Sequence, residues 1–452
     1  MIILNNPLPE ELSVKLLSST PLFLDSYVRL DNWIEKQGLR GYEPKDIYSA
    51  KIFVFLRTKL KDPLKSVTRK ESSSKLNSSF RLMLSPFYQT KNSQLFMRKI
   101  FGIKRGKDPK AYSMFVRAYL NQYKYLSGKK DKNKFELERC KKRIYLLLDW
   151  LIEHRSPGYE NFCWGYDYVW PHSPNSVWPK HTPQSTMVTY IGNVFLEAYY
   201  LFNEHKYKEV AISAGEFCLN NLNVDAVDKE TICFSYSPLD KDHVINVNAH
   251  VGALLVRLYK LTNNKRYFTA AVKAFNYVVH SQNDNGSWYY RAPPEKYLGP
   301  ADNYHTGDIL EYIYTFIQEM RNDSLNKSPQ YKLFEPHLKK VFIKGLDYYV
   351  SNFFAPSGMP KMSDTFTYPI DIHSSAQAMV SLCMIRKNKK YTSIIKDLPE
   401  KIGSWTIKNM QHSSGYFYHR IYNNGVPIKD KTPFLRWGQG EMLTALSFVI
   451  WY

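Results

Sequence analysis

The chain has 452 residues, 44% hydrophobic and 23% charged, enough to build a sizeable core and too apolar for a disordered chain. Its formal charge is +21, and its longest apolar runs fall short of the roughly 18 residues that a membrane-spanning helix needs. No basic region precedes the first apolar residues, which argues against a secretory signal, and five cysteines without C-x-x-C spacing imply neither a disulfide framework nor a zinc site; a cytoplasmic protein is expected.

Read in chain order, two kinds of helix alternate. One kind has a single apolar stripe and is expected near 12–37, 138–155, 207–222, 267–282, 337–353 and 394–411. The other opens on polar groups and runs on in apolar and small residues, near 44–60, 182–202, 246–261, 303–320, 371–385 and 436–450. Starts of the second kind are separated by 138, 64, 57, 68 and 65 residues, so four of the five steps match one helical hairpin with its loops. Six hairpins predict an all-α fold, an (α/α)6 toroid with the second kind inside, formed by residues 1–452 as one domain. Short aromatic stretches such as Trp288-Tyr289-Tyr290 and Tyr416-Phe417-Tyr418 are expected as β-hairpins at its mouth.

The long first step coincides with the positive charge. Residues 51–143 hold 26 Lys and Arg against 6 Asp and Glu, while the rest of the chain holds 36 against 35. A basic insertion over 61–137 is therefore expected between the first two hairpins. It reads either as a solvated segment or as a contact surface for a polyanion or an anionic membrane. Apolar and basic residues alternate through 92–101, which suits a membrane surface, and no specific nucleic-acid motif is present.

A closed ring brings all inner-helix starts to one face. Those starts carry His181, His250, Asp302, Tyr304, His305, Asp371, His373, Arg436 and Trp437, and the preceding turns add Trp164, Asp167, Tyr236, Trp288 and Tyr418. A single Asp at a helix start is explained by capping. Histidines at four starts, with carboxylates at two, point to a pocket instead. The 35 tyrosines suit the faces and hydroxyls of sugars. Asp302 and Asp371 are the expected acid–base pair of a hydrolase, with Asp167 and Glu441 in reserve. His305, His373, Tyr304 and Arg436 would instead serve elimination or epimerisation of a uronic acid. Helix N-termini and Arg436 favour an acidic ligand. No cofactor is expected, and no local ligand spacing supports a metal.

The hairpin count and turn pattern resemble the six-hairpin glycosidase-like superfamily of glycan hydrolases, lyases and epimerases. More closely, Trp164-Gly165-Tyr166-Asp167-Tyr168, Asp302-Asn303-Tyr304-His305-Thr306-Gly307, Asp371-Ile372-His373-Ser374 and Arg436-Trp437-Gly438-Gln439 resemble proteins of bacterial and archaeal exopolysaccharide and capsule gene clusters. The resemblance spans most of residues 8–452 apart from the basic segment. It implies a carbohydrate-active protein of cell-surface polysaccharide metabolism, with a glycan or sugar-derived substrate. The alternatives are a noncatalytic glycan-binding or assembly protein, or a handler of a lipid-linked glycan at the inner face of the membrane.

Overall fold

The computed structural model describes residues 10–50, 93–130, 133–173, 176–292, 299–321, 329–423 and 425–452. Its main helices in chain order are α1 (Glu10–Lys36), α2 (Ser93–Ile100), α3 (Pro109–Ser127), α4 (Lys134–Glu153), α5 (Ser185–Phe202), α6 (His205–Asn221) and α7 (Ile245–Thr262). There follow α8 (Lys265–His280), α9 (Asn303–Met320), α10 (Pro329–Asn352), α11 (Ile372–Arg386), α12 (Leu398–Met410) and α13 (Glu441–Trp451).

The inner ring is α3, α5, α7, α9, α11 and α13, each packed on the next, with α13 closing on α3. Each is backed by one outer helix: α4, α6, α8, α10 and α12 behind the first five, and α1 behind α13. This is the expected (α/α)6 toroid. Burial separates the two rings. The inner α7 is buried all round, from Asn246 through Tyr259, as a helix packed on every side must be. The outer α8 buries a single stripe, Tyr267, Phe268, Ala271, Val272, Phe275 and Val278, at helical spacing.

One hairpin departs from the expected registry. Around residue 44 the chain forms only a short 3-10 turn, Asp46–Ser49, and 51–60 lie outside the described residues. The first inner helix is α3 instead. Asp108 caps it by accepting the Ala111 N–H at 2.8 Å, and Pro109 fills the first turn, where no N–H is needed. The expected insertion over 61–137 is therefore corrected: Pro109–Ser127 belongs to the inner ring, α4 begins at Lys134, and 61–92 lie outside the described residues. Charge misled here because Lys110 is buried and Arg117 half-buried against acids from distant helices, as Arg117 is against Glu311 at 2.7 Å. A second polar seam closes the ring, where buried Asp31 of α1 takes bonds from Tyr119 (2.6 Å) and Arg143 (2.7 Å).

Among the described residues, strands are confined to three small antiparallel sheets in loops that lead to inner-helix starts. The largest pairs Ile370–Asp371 with Arg420–Asn423, and that strand with Pro427–Asp430. No helix among the described residues is long and apolar enough to cross a membrane.

Two tight turns that precede aromatic residues, at Gly286 and Gly415, are fastened to outer helices. Gly286 and Gly415 take φ of +99° and +109°, and a Cβ there would lie 2.8 Å from the Lys344 carbonyl and 2.2 Å from that of Arg29. Two aromatics expected at the mouth are core instead. Trp164 is fully buried and donates its indole N–H to the Leu151 carbonyl at 2.7 Å; Trp288, 1% exposed, donates to the Val278 carbonyl at 3.0 Å. Each indole caps the last turn of an outer helix, so both expected ligand contacts are corrected to packing roles.

Candidate active site

Because inner and outer helices alternate, all six inner helices run the same way and their N-terminal ends share one mouth. The last start is unusual: Leu435–Gly440, which carries Arg436 and Trp437, forms a π-helical turn before α13. From these ends a continuous set of rings is assembled. Tyr304 stacks on His373 (3.4 Å between centroids) and meets His305 edge-on (5.0 Å). His373 stacks in turn on Trp437 at 5.4 Å, and Tyr290 lies 4.4 Å from His305. The Arg436 guanidinium sits over Trp437 and Tyr166, at 4.9 and 4.8 Å.

Three histidines of this region each have a carboxylate partner. His305 Nδ1 lies 2.7 Å from Asp302 Oδ2, His250 Nε2 lies 2.7 Å from Asp308 Oδ2, and His373 Nε2 lies 3.0 Å from Glu441 Oε1. The side chains of His305 and His373 are 28% and 13% exposed, whereas His250 is buried, its ring 4.0 Å from that of Tyr312. Two partly exposed imidazoles, His305 and His373, thus contact the Tyr304 ring. Burial lowers the His373 pKa, against the pull of Glu441 and Asp371, and so favours the neutral ring that can accept a proton. Burial would raise Asp308, but His250, the Asn246 amide at 2.9 Å and Lys110 outweigh it and keep the carboxylate ionised.

The two expected catalytic aspartates do other work in the structure. Asp302 is the cap of α9, accepting the His305 N–H at 2.8 Å, and its second oxygen orients that imidazole. Asp371 caps α11 through the His373 N–H and holds Arg420 at 2.6 Å. Burial opposes its charge, but Arg420, then His419 and His373, hold its pKa down at about 2. That is far too acidic to donate a proton near neutrality. Because the folded value lies below the ordinary 3.8, the pair stabilises the protein fully above that pH and loses its contribution as pH falls toward 2. Asp371→Asn is expected to cost about 2 kcal/mol in denaturant titrations at pH 7, and the gap to the wild type should close near pH 2.

The remaining expected residues are spread around the rim. Asp167 and His181 form an exposed cluster with Lys180, with Asp167 Oδ1 3.5 Å from His181 Nε2 and 3.3 Å from Lys180 Nζ. Tyr236 packs beside Trp178 and its hydroxyl lies 3.3 Å from that of Thr186. Tyr418 is buried and packs against His412 and Tyr416.

Arg436 is gripped by Glu43, which accepts its backbone N–H at 2.9 Å and its Nε–H at 3.2 Å; its Nη2 has no partner. Lys110, in the first turn of α3, is also buried, and burial lowers its pKa against the attraction of Glu441. Sequence reasoning passed over Lys110 and gave no role to Asp308 or Glu43. Asp308 had a usable signal: it lies more than one turn inside its helix, where capping cannot account for a buried acid. Among the described residues no group of three or more His, Cys, Asp or Glu could hold a metal ion. A cavity of about 170 Å³ lies toward the opposite ends of the inner helices, between Arg117, Glu197, Arg257, Glu311 and Tyr452. Its charges pair among themselves, and none of the histidines above reaches it.

No family model and no curated protein matches this sequence. Solved structures do. The cellobiose 2-epimerase of Bacillus thermoamylovorans superposes with a TM-score of 0.57 at 13% identity, over 76% of this chain and 87% of that one. A D-mannose isomerase gives 0.53 at 10% identity, over 76% and 86%. A family 88 glycosyl hydrolase from Bacteroides vulgatus gives 0.51 at 12% identity, over 75% and 91%. The chain has the six-hairpin (α/α)6 toroid fold of these enzymes.

Proposed function

We propose that the protein is a carbohydrate-processing enzyme that moves a proton at a sugar carbon next to a carbonyl or carboxylate, as an epimerase or isomerase does. The observation that carries this reading is the pair of partly exposed imidazoles in contact with Tyr304, each beside its own carboxylate. One neutral imidazole removes the C–H proton, and the electron pair moves onto the adjacent oxygen to give an enediolate. The other imidazole, protonated, returns a proton to the opposite face of the same carbon or to its neighbour. Arg436 and Lys110, both buried, act on a developing oxyanion only through their positive field, which favours an acidic sugar. A hydrolase would need two carboxyl groups facing the scissile bond, and Asp302 and Asp371 are engaged as caps and partners. Resemblance of the motifs to exopolysaccharide and capsule proteins supports a substrate from cell-surface polysaccharide metabolism. The fold, shared with an epimerase and an isomerase, adds a prior.

Incubation with a panel of neutral and acidic sugars in heavy water, followed by proton NMR, tests this. Deuterium is expected at a single carbon beside the carbonyl or carboxylate of one sugar. New reducing ends without deuterium at carbon would make the protein a hydrolase. Sugar binding with neither change would make it a binding protein.

A further inference from the structure

We propose that α2 and the loop after it form a docking surface for an anionic lipid bilayer, seated beside the mouth. The helix has two unlike faces. On the inner face Arg98 is 1% exposed; it bonds Asp46 Oδ1 through Nε (3.0 Å) and Nη2 (2.8 Å), and Nη2 also donates to the Glu43 carbonyl at 2.8 Å. Its guanidinium lies over the rings of Tyr42 and Phe434, at 5.6 and 5.0 Å. Met97 and Phe101 pack beside it on Ile47 and Ala50. The helix is therefore fixed to the rim and is not a loose tail.

On the outer face Phe96 and Ile100 are 63% and 57% exposed. They are four residues apart, so they stand on one side of the helix. Lys99 is exposed on the same helix, and Lys104 and Lys107 are exposed in the loop that follows. No Asp or Glu occurs between residues 72 and 107. Solvent-facing phenyl and aliphatic side chains on a rigid helix, ringed by lysines, match the interface of a bilayer: the apolar groups enter the acyl boundary and the lysines meet anionic headgroups. A nucleic acid or an acidic polysaccharide would use the charge but has no place for Ile100. Lys99, Lys104, Arg105 and Lys107 are all exposed on this rim, so it is a face that a negative surface would attract. Glu43, whose carbonyl receives Arg98, also grips Arg436 through its carboxylate, so docking would hold the mouth at the membrane surface. The surface does not depend on the reaction proposed above.

The test is co-sedimentation of the full chain with large vesicles, either of phosphatidylcholine alone or with about one third phosphatidylglycerol. Binding is expected only to the anionic vesicles, weakening as salt is raised. The double variant Phe96→Ser with Ile100→Ser should lose roughly tenfold or more in partition coefficient, as should Lys99→Gln with Lys104→Gln and Lys107→Gln. Both should keep the wild-type melting temperature, because the replaced side chains are exposed. Failure of the wild type to bind anionic vesicles overturns the proposal. So does binding that is indifferent to Phe96 and Ile100, and binding to heparin or DNA that competes on equal terms would reassign the surface to a polyanion.

Discussion

Replacing His373 with Asn is expected to lower kcat on the order of a thousandfold, the usual contribution of a positioned general base, with the melting temperature nearly unchanged. The imidazole lies between Tyr304 and Trp437 and keeps Nε2 within 3.0 Å of Glu441 while remaining partly exposed, so it can reach a ligand without moving the helix that carries it. Burial sets its pKa below the ordinary 6.5, so the limb of the pH–rate profile that reports this base should fall only on the acid side of that value. Glu441 is the main group opposing this shift. Glu441→Gln should therefore move the acid limb further down in pH, a change that loss of packing alone would not produce. The readout is deuterium exchange into the sugar that the heavy-water screen identifies. A loss of less than tenfold in the His373 variant would remove this residue from the proton path.

Glu43→Ala is expected to destabilise the fold by about 3–5 kcal/mol, because it leaves the buried Arg436 guanidinium without its carboxylate. The two residues are 393 positions apart and join the entry to the first hairpin to the last inner-helix start. Arg436 is 4% exposed, so water cannot replace the lost partner. Adding Arg436→Met to Glu43→Ala should recover part of the loss, since the stranded charge is then gone. Urea titration of the two single variants and the double variant gives the coupling directly. Strictly additive losses would show that the pair is not a linked unit.

The architecture was legible because it rests on local signals repeated many times. Apolar periodicity located five of the six inner helices within a few residues, and the spacing between their starts implied closure. Local chemistry also marked α3, with Asp108 and Pro109 at its start, but the charge count of its surroundings pointed the other way. Whether a lysine or arginine is solvated depends on what faces it. For Lys110 and Arg117 the facing acids are Glu441, Asp308 and Glu311, which only ring closure brings near.

The candidate site divides in the same manner. That histidines gather at the inner-helix starts follows from the sequence, since any closed ring of alternating helices brings those starts to one face. Which carboxylate serves which histidine does not. Asp302 and Asp371 stood out because they open helices, and that position commits an aspartate to its own helix N–H groups. The partners of His250 and His373 come instead from neighbouring helices: Asp308 lies inside α9, and Glu441 opens α13 after the π-helical turn. The sequence by itself determined the hairpins, the shared mouth and the residue types around it, because propensity, periodicity and capping act over a few residues. Only the tertiary structure decided the pairings, the burial of Trp164 and Trp288, and the exposure of Phe96 and Ile100, because each depends on surfaces contributed by segments distant in the chain.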